Sequence, residues 1–81
     1  MHTRAKIRLD TEQAAVNFVK QLNSDGSTIK WMLENFDGSC RVNARSLLGA
    51  IYASVDFGGE IYFFTDEETE ALPNFINDFR A

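Results

Sequence analysis

The feature that most constrains the fold is a hairpin signal at Asp37-Gly38. An Asp-Gly pair between two alternating segments is a strong signal for a tight turn between antiparallel strands. Taken as a two-residue turn, it places Leu33 opposite Val42 and Glu34 opposite Arg41. The two apolar side chains then share one face of the hairpin, and the two opposite charges share the other face. The sequence therefore predicts an antiparallel strand pair with a fixed register.

The chain before the hairpin predicts one strand and one helix. Residues Arg4 to Leu9 alternate between charged and apolar side chains, which is typical of a half-buried strand. Asp10 or Thr11 then provides a helix N-cap. The apolar residues that follow are spaced to form one buried helical stripe, and they are Ala15, Phe18, Val19 and Leu22.

A second helix is predicted directly after the hairpin. Ser46 is a natural N-cap for a short helix that runs from Leu47 to about Ser54. Leu47, Leu48 and Ile51 are too many apolar residues for so short a helix to bury completely. A phosphate on Ser46 would meet helix amides, the positive end of the helix dipole and the guanidinium of Arg45. This segment is therefore a candidate regulatory or docking site, although an N-cap serine can also serve as a cap alone.

The last third of the chain predicts a strand and a third helix. Gly58-Gly59 reverses the chain into a strand from Glu60 to Thr65. The segment Thr65-Asp66-Glu67-Glu68 has the pattern of a capping box. Pro73 should kink this helix or separate its first turn. Its predicted buried stripe consists of Leu72, Phe75, Ile76 and Phe79.

Length and composition support one α+β domain over residues 1–81, with the element order β-α-β-β-α-β-α. The chain has 44% hydrophobic residues, which is enough for a single core, and two amphipathic helices need one covered sheet face. The single cysteine, Cys40, fits a reducing cytoplasm. A net charge of −4 argues against nucleic-acid binding, and no apolar run is long enough to insert into a membrane.

Part of this sequence resembles a known family. The segment Val42-Asn43-Ala44-Arg45-Ser46-Leu47-Leu48-Gly49 is similar to the regulatory-serine segment of HPr, the histidine-containing phosphocarrier protein of the bacterial sugar phosphotransferase system. Gly58-Gly59-Glu60-Ile61 resembles the turn and last strand of that family, and the resemblance extends from Lys6 to Phe79. It implies an open-faced β-sandwich with an antiparallel sheet of order 1-4-2-3, covered on one face by helices.

The resemblance fails at the phosphocarrier site itself. In the family a histidine in the motif His-Ala-Arg-Pro-Ala carries the phosphoryl group, but here the histidine position falls on Thr11. The arginine position falls on Gln13, the proline position falls on Ala14, and no histidine follows His2. Because a threonine ester is stable whereas a phosphohistidine can pass its group on, we expect a divergent member that is not competent for histidine phosphoryl transfer.

The family's other site is retained. The resemblance implies that an HPr-type serine kinase phosphorylates Ser46. It also implies that the residues around Ser46 contact phosphotransferase-system or regulatory proteins, and these residues are Arg45, Leu47, Leu48 and Ile51.

One further feature comes from the residues alone. Tyr62 and Phe64 should point to the open face of the sheet. Outward Lys6 and Arg8 should lie on one side of them, and Lys30 and Met32 on the other. The stems of these basic side chains could cover the rings, with some cation–π benefit. Alternatively, the two rings could form a dimer or partner contact.

These patterns lead to one principal interpretation and two alternatives. We expect a cytoplasmic HPr-like regulatory protein that needs no cofactor and acts by protein–protein contact. It is not expected to be an enzyme, because the sequence has no paired catalytic carboxylates, metal-ligand cluster or nucleophile with a histidine base. The alternatives are a phosphotransferase-system component with altered chemistry, and a small-molecule binder with a pocket between helices and sheet.

Overall fold

The computed structural model describes residues 4–24, 26–58, 60–68 and 71–81. His2 and Gly59 lie outside the described residues. The elements in chain order are β1 (Arg4–Ile7), α1 (Glu12–Asn23), β2 (Met32–Glu34), β3 (Arg41–Asn43), α2 (Leu47–Asp56), β4 (Ile61–Phe64) and a 3₁₀ helix (Asn74–Asp78). None of the helices in the described residues is long and apolar enough to cross a membrane.

The four strands form one antiparallel sheet in the order β1-β4-β2-β3, which confirms the predicted topology. Leu33 pairs with Val42 and Glu34 pairs with Arg41, as the hairpin signal predicted. Alternation of side chains explains why this register is so well defined, because a slip of one residue would expose every core side chain of the strand. The helices lie on the face that carries the apolar residues.

The hairpin turn itself differs from the two-residue form. The Gly38 amide donates to the Asn35 carbonyl at 3.1 Å, and the Asn35 amide donates to the Cys40 carbonyl at 3.2 Å. Gly38 has a φ of 75°, whereas Asp37 has no positive φ, so the mirror-image turn favoured by Asp-Gly does not form. Residues 36–39 thus form a four-residue loop between Asn35 and Cys40, the last hydrogen-bonded pair of the hairpin. The register is therefore set by burial of the core face and not by the turn.

Both predicted N-caps are present. The Thr11 hydroxyl accepts from the Ala14 amide at 3.0 Å, and the Ser46 hydroxyl accepts from the Gly49 amide at 3.1 Å. The predicted stripe of α1 is buried, and it consists of Ala15, Phe18, Val19 and Leu22. In the centre of the core the ring of Trp31 stacks on that of Phe63 with 4.3 Å between centroids.

The third helix was predicted wrongly in type and start. The Thr65 hydroxyl accepts from the Glu67 amide only two residues ahead, so it closes a local turn and caps no helix. A five-residue 3₁₀ helix begins directly after Pro73 instead. Proline disfavours helical conformation in the residue before it and has no amide hydrogen, so a helix starts cleanly after Pro73 and does not run through it. Ile76 is still fully buried, as the apolar spacing predicted.

Candidate docking site on the second helix

The N-terminus of α2 places Ser46 at the surface of the molecule. Ser46 is partly exposed, its amide donates to the Asn43 carbonyl at 3.1 Å, and its carbonyl accepts from the Ala50 amide at 2.9 Å. These bonds fix the residue at the junction of β3 and α2. The first turn of the helix contains no acidic side chain. The hydroxyl therefore lies beside helix amides in surroundings that suit an added negative charge.

The predicted apolar residues of α2 divide into exposed and partly buried positions. Leu48 is 80% exposed and Leu47 is 45% exposed, whereas Ile51 is only partly buried and packs against the core. Two further exposed residues were not predicted as part of this surface, Tyr52 at 47% and Val55 at 72%. The spacing of Val55 and Tyr52 from Leu48, at seven and four residues, is the signal that could have found them. We call these five residues the α2 face.

Close packing between α2 and the sheet holds the α2 face in position. A Cβ atom on Gly49 would lie 2.9 Å from the Asn43 carbonyl oxygen and 3.4 Å from the Val42 Cβ. A glycine is therefore required where the helix crosses the end of β3. On the side of the helix away from the α2 face, Ala50 and Ala53 are also completely buried. Because small residues bring the helix close to the core, its larger apolar side chains lie on the outward side.

The structure assigns Arg45 an internal role that was not predicted. Its Nε donates to the Ile29 carbonyl at 3.0 Å, and its Nη1 donates to the Leu22 carbonyl at 3.1 Å. The guanidinium thus joins the start of α2 to the last turn of α1 and to the segment before β2. We predicted that Arg45 would be a surface cation beside Ser46. The sequence could not show which carbonyls would lie within its reach.

At the start of α1, where the resemblance places the family's histidine, the hydrogen bonds between described residues are local. Thr11 caps the helix, as described above. The Gln13 side-chain amide donates to the Asn17 side-chain oxygen at 3.1 Å, one turn along the same helix. A guanidinium at this position could bind a phosphate through two parallel hydrogen bonds, but a neutral amide cannot supply that charge.

On the open face of the sheet, arginine side chains cover the two aromatic rings. The Arg4 guanidinium lies 4.1 Å from the ring centroid of Tyr62, and that of Arg41 lies 4.9 Å from the ring centroid of Phe64. Phe64 is only 8% exposed. The predicted coverage by basic side chains thus takes place, with Arg4 and Arg41 over the two rings. Arg4 reaches diagonally to the neighbouring strand β4, whereas Arg41 reaches past β2 to β4.

Within the α2 face, the hydroxyl of Tyr52 has a shifted pKa. The Cys40 Sγ lies 4.0 Å from the Tyr52 hydroxyl. This hydrogen-bonding contact with Cys40, together with charge interactions with Cys40 and Asp56, raises the pKa of Tyr52 above its ordinary value of 10.0. The phenol therefore remains neutral over the physiological range, and the apolar character of the α2 face does not change with pH there.

A groove at one end of the sheet is a second candidate site. This open groove of about 420 Å³ lies at the end of β2 and β3, and its lining includes Lys30, Met32 and Asn43. Met32 and Asn43 alternate with the core residues of their strands, so this groove lies on the open face and not between the helices and the sheet. In the part of the chain that the structure describes, no three His, Cys, Asp or Glu side chains are grouped so that they could hold a metal ion.

Comparison with known proteins adds no family assignment. No protein-family model matches the sequence, and no curated protein matches it at a significant level.

Proposed function

We propose that this chain is a cytoplasmic HPr-like regulatory protein that acts by docking to other proteins and carries no phosphoryl group on α1. The observation that carries the proposal is the α2 face, in which Leu48 and Val55 are each more than two-thirds exposed. Large apolar side chains grouped on one helix are typical of protein–protein contact sites. The fold and the segment around Ser46 support the likeness to HPr.

The start of α1 supports the absence of phosphoryl transfer. A carrier must form a bond to phosphorus that is easily broken again, as the phosphoramidate of a histidine is. Thr11 could form only a phosphate ester, which is stable toward onward transfer. Gln13 provides no positive charge to hold the phosphate.

Ser46 supplies the regulatory half of the proposal. A phosphate on its hydroxyl would add about −1.5 to −2 charges at pH 7 beside Leu47 and Leu48. Helix amides at the N-terminus of α2 would stabilise the phosphate, and no acidic residue in the first turn opposes it. The modification would make the edge of an apolar surface strongly negative. A partner with an acidic rim would then be repelled, and a partner with a basic rim would be favoured.

The test is the intact mass of the protein after incubation with ATP and an HPr-type serine kinase. We expect the mass of one phosphate to be added to the wild-type chain and to be absent in Ser46→Ala. Ser54→Ala is the matched control, because Ser54 lies on the same helix and its hydroxyl donates to the Ile51 carbonyl. This control should gain the phosphate as the wild type does.

Two results would contradict the regulatory half of the proposal. If the wild-type chain gains no phosphate, Ser46 serves only as a helix cap. If Ser46→Ala still gains phosphate while its circular dichroism is unchanged, the kinase modifies another residue.

The proposed docking function of the α2 face has its own test. Leu48→Ser should lose binding to a partner that the wild-type chain binds, and equal binding by both would contradict it.

A further inference from the structure

Among the described residues, the α2 face contains four of the five exposed large apolar side chains. Arg4 and Arg41 lie over the two rings of the open sheet face, where Phe64 is buried and Tyr62 is only partly exposed. On α2, by contrast, Leu48, Tyr52 and Val55 follow one another at intervals of four and three residues. They form a single stripe along about 10 Å of helix, at about 1.5 Å per residue. This geometry suits another helix laid along α2.

The stripe is also symmetric about its own middle. Tyr52 lies near the centre of α2, and Leu48 and Val55 lie on either side of it. If a second α2 lies antiparallel to the first, a two-fold axis passes close to Tyr52, and each Leu48 faces Val55 of the other copy. An interface of this kind requires one patch to complement itself. The Tyr52 ring is already held edge-on against Phe57 at 5.8 Å between centroids, so docking need not order it.

The charge distribution of the chain limits where two copies could meet. The whole chain has a net charge of −4, so most pairs of its surfaces repel one another. Residues 47–55 contain no charged side chain, and the helix ends in Asp56. In the antiparallel arrangement, each Asp56 lies beside the N-terminal amides of the other helix. A carboxylate is stabilised at that position by the helix dipole.

From these observations we infer that the α2 face binds a second copy of this chain through an antiparallel, two-fold α2–α2 contact. This inference rests on the proposed docking function of α2 and names its partner. Exposed apolar patches of this kind are of the order of a few hundred Å². Two such patches give an interface at the small end of the range for specific complexes, so the dimer should be weak and reversible.

Sedimentation equilibrium from low micromolar to millimolar concentration tests the inference. We expect the average mass of the wild-type protein to rise from that of one chain toward that of two. Leu48→Glu and Val55→Lys should each weaken the dimer by about tenfold or more, because each places a charge against an apolar side chain. Both residues are mostly exposed, so the fold should tolerate either change.

The double variant Leu48→Glu/Val55→Lys tests the antiparallel register. The two new charges are of opposite sign and face each other across the two-fold axis, so dimerisation should recover in part. Phe36→Ser is the matched control, because Phe36 is 65% exposed but lies on the hairpin and not on α2. It should leave the dimer unchanged.

Three results would overturn the inference. The first is a wild-type chain that remains a monomer at millimolar concentration, and the second is a dimer that Leu48→Glu leaves intact. The third is a double variant that dimerises no more strongly than either single variant. A monomeric wild type whose partner binding is still lost in Leu48→Ser would refute the second copy as the occupant and leave the proposed docking function standing. If that binding survives as well, the proposed function fails with it.

Discussion

Replacing Arg45 with alanine tests whether its guanidinium links the two helices or serves only as a surface cation. The substitution removes the donors to the Ile29 and Leu22 carbonyls, which the guanidinium reaches at 3.0 and 3.1 Å. Hydrogen bonds from a charged group contribute about 1.5–3 kcal/mol each. Because Arg45 is only partly buried, water can replace part of that loss. We therefore expect the free energy of unfolding to fall by about 2–3 kcal/mol, below the simple sum of two such bonds.

Urea unfolding followed by the fluorescence of Trp31 measures this change. Trp31 is the single tryptophan, it is buried, and it stacks on Phe63, so its emission reports the core directly. A lower midpoint with an unchanged slope is expected. Arg45→Met keeps most of the apolar stem without the donors, and it should lose nearly as much stability as the alanine variant.

Lys20→Ala is the control for loss of a positive charge. Lys20 is an exposed residue in the last turn of α1, close in sequence to the carbonyl that Arg45 binds. Its replacement should change stability by no more than about 0.5 kcal/mol. If Arg45→Ala were as mild as this control, the guanidinium would not link the two helices, and the reasoning from its geometry would be refuted.

Three other substitutions test the local structure. Gly49→Ala should destabilise the fold by about 1–3 kcal/mol, although alanine favours helices, because its methyl carbon would lie 2.9 Å from a carbonyl oxygen of β3. If urea unfolding showed the variant to be more stable, the close packing would be contradicted. Thr11→Ala should cost about 1 kcal/mol through loss of the N-cap, and Thr11→Ser should restore most of it in the same assay. Cys40→Ala should lower the pKa of Tyr52 toward 10.0, because the contact that raises it is removed. Ultraviolet titration in a Tyr62→Phe background measures this pKa, and an unchanged value would show that Cys40 is not the cause.

The fold could be predicted because its main features depend on local patterns. The alternation of Leu33 and Val42 with charged neighbours determines which faces of the hairpin are buried, whatever the turn between them. Thr11 and Ser46 mark helix starts by a short-range hydrogen bond that needs no tertiary partner. The type of the final helix was harder to predict, since apolar residues spaced three and four apart fit an α-helix and a short 3₁₀ helix equally well.

The candidate site could be predicted less completely. Leu47 and Leu48 were predicted to be exposed apolar residues, but Tyr52 and Val55 were not, because the sequence of so short a helix does not show which of its apolar positions the core covers. The bonds of Arg45 join segments that are distant in sequence, and no local pattern indicates which carbonyls it meets.

We propose that this chain combines an HPr-like fold with a docking surface and does not carry phosphoryl groups. The most direct measurement is the intact mass after incubation with phosphoenolpyruvate and the upstream enzyme that phosphorylates HPr, with HPr itself as the positive control. We predict that HPr gains a phosphate under these conditions and that this chain gains none. A phosphate that this chain acquires and passes to an acceptor protein would contradict the claim.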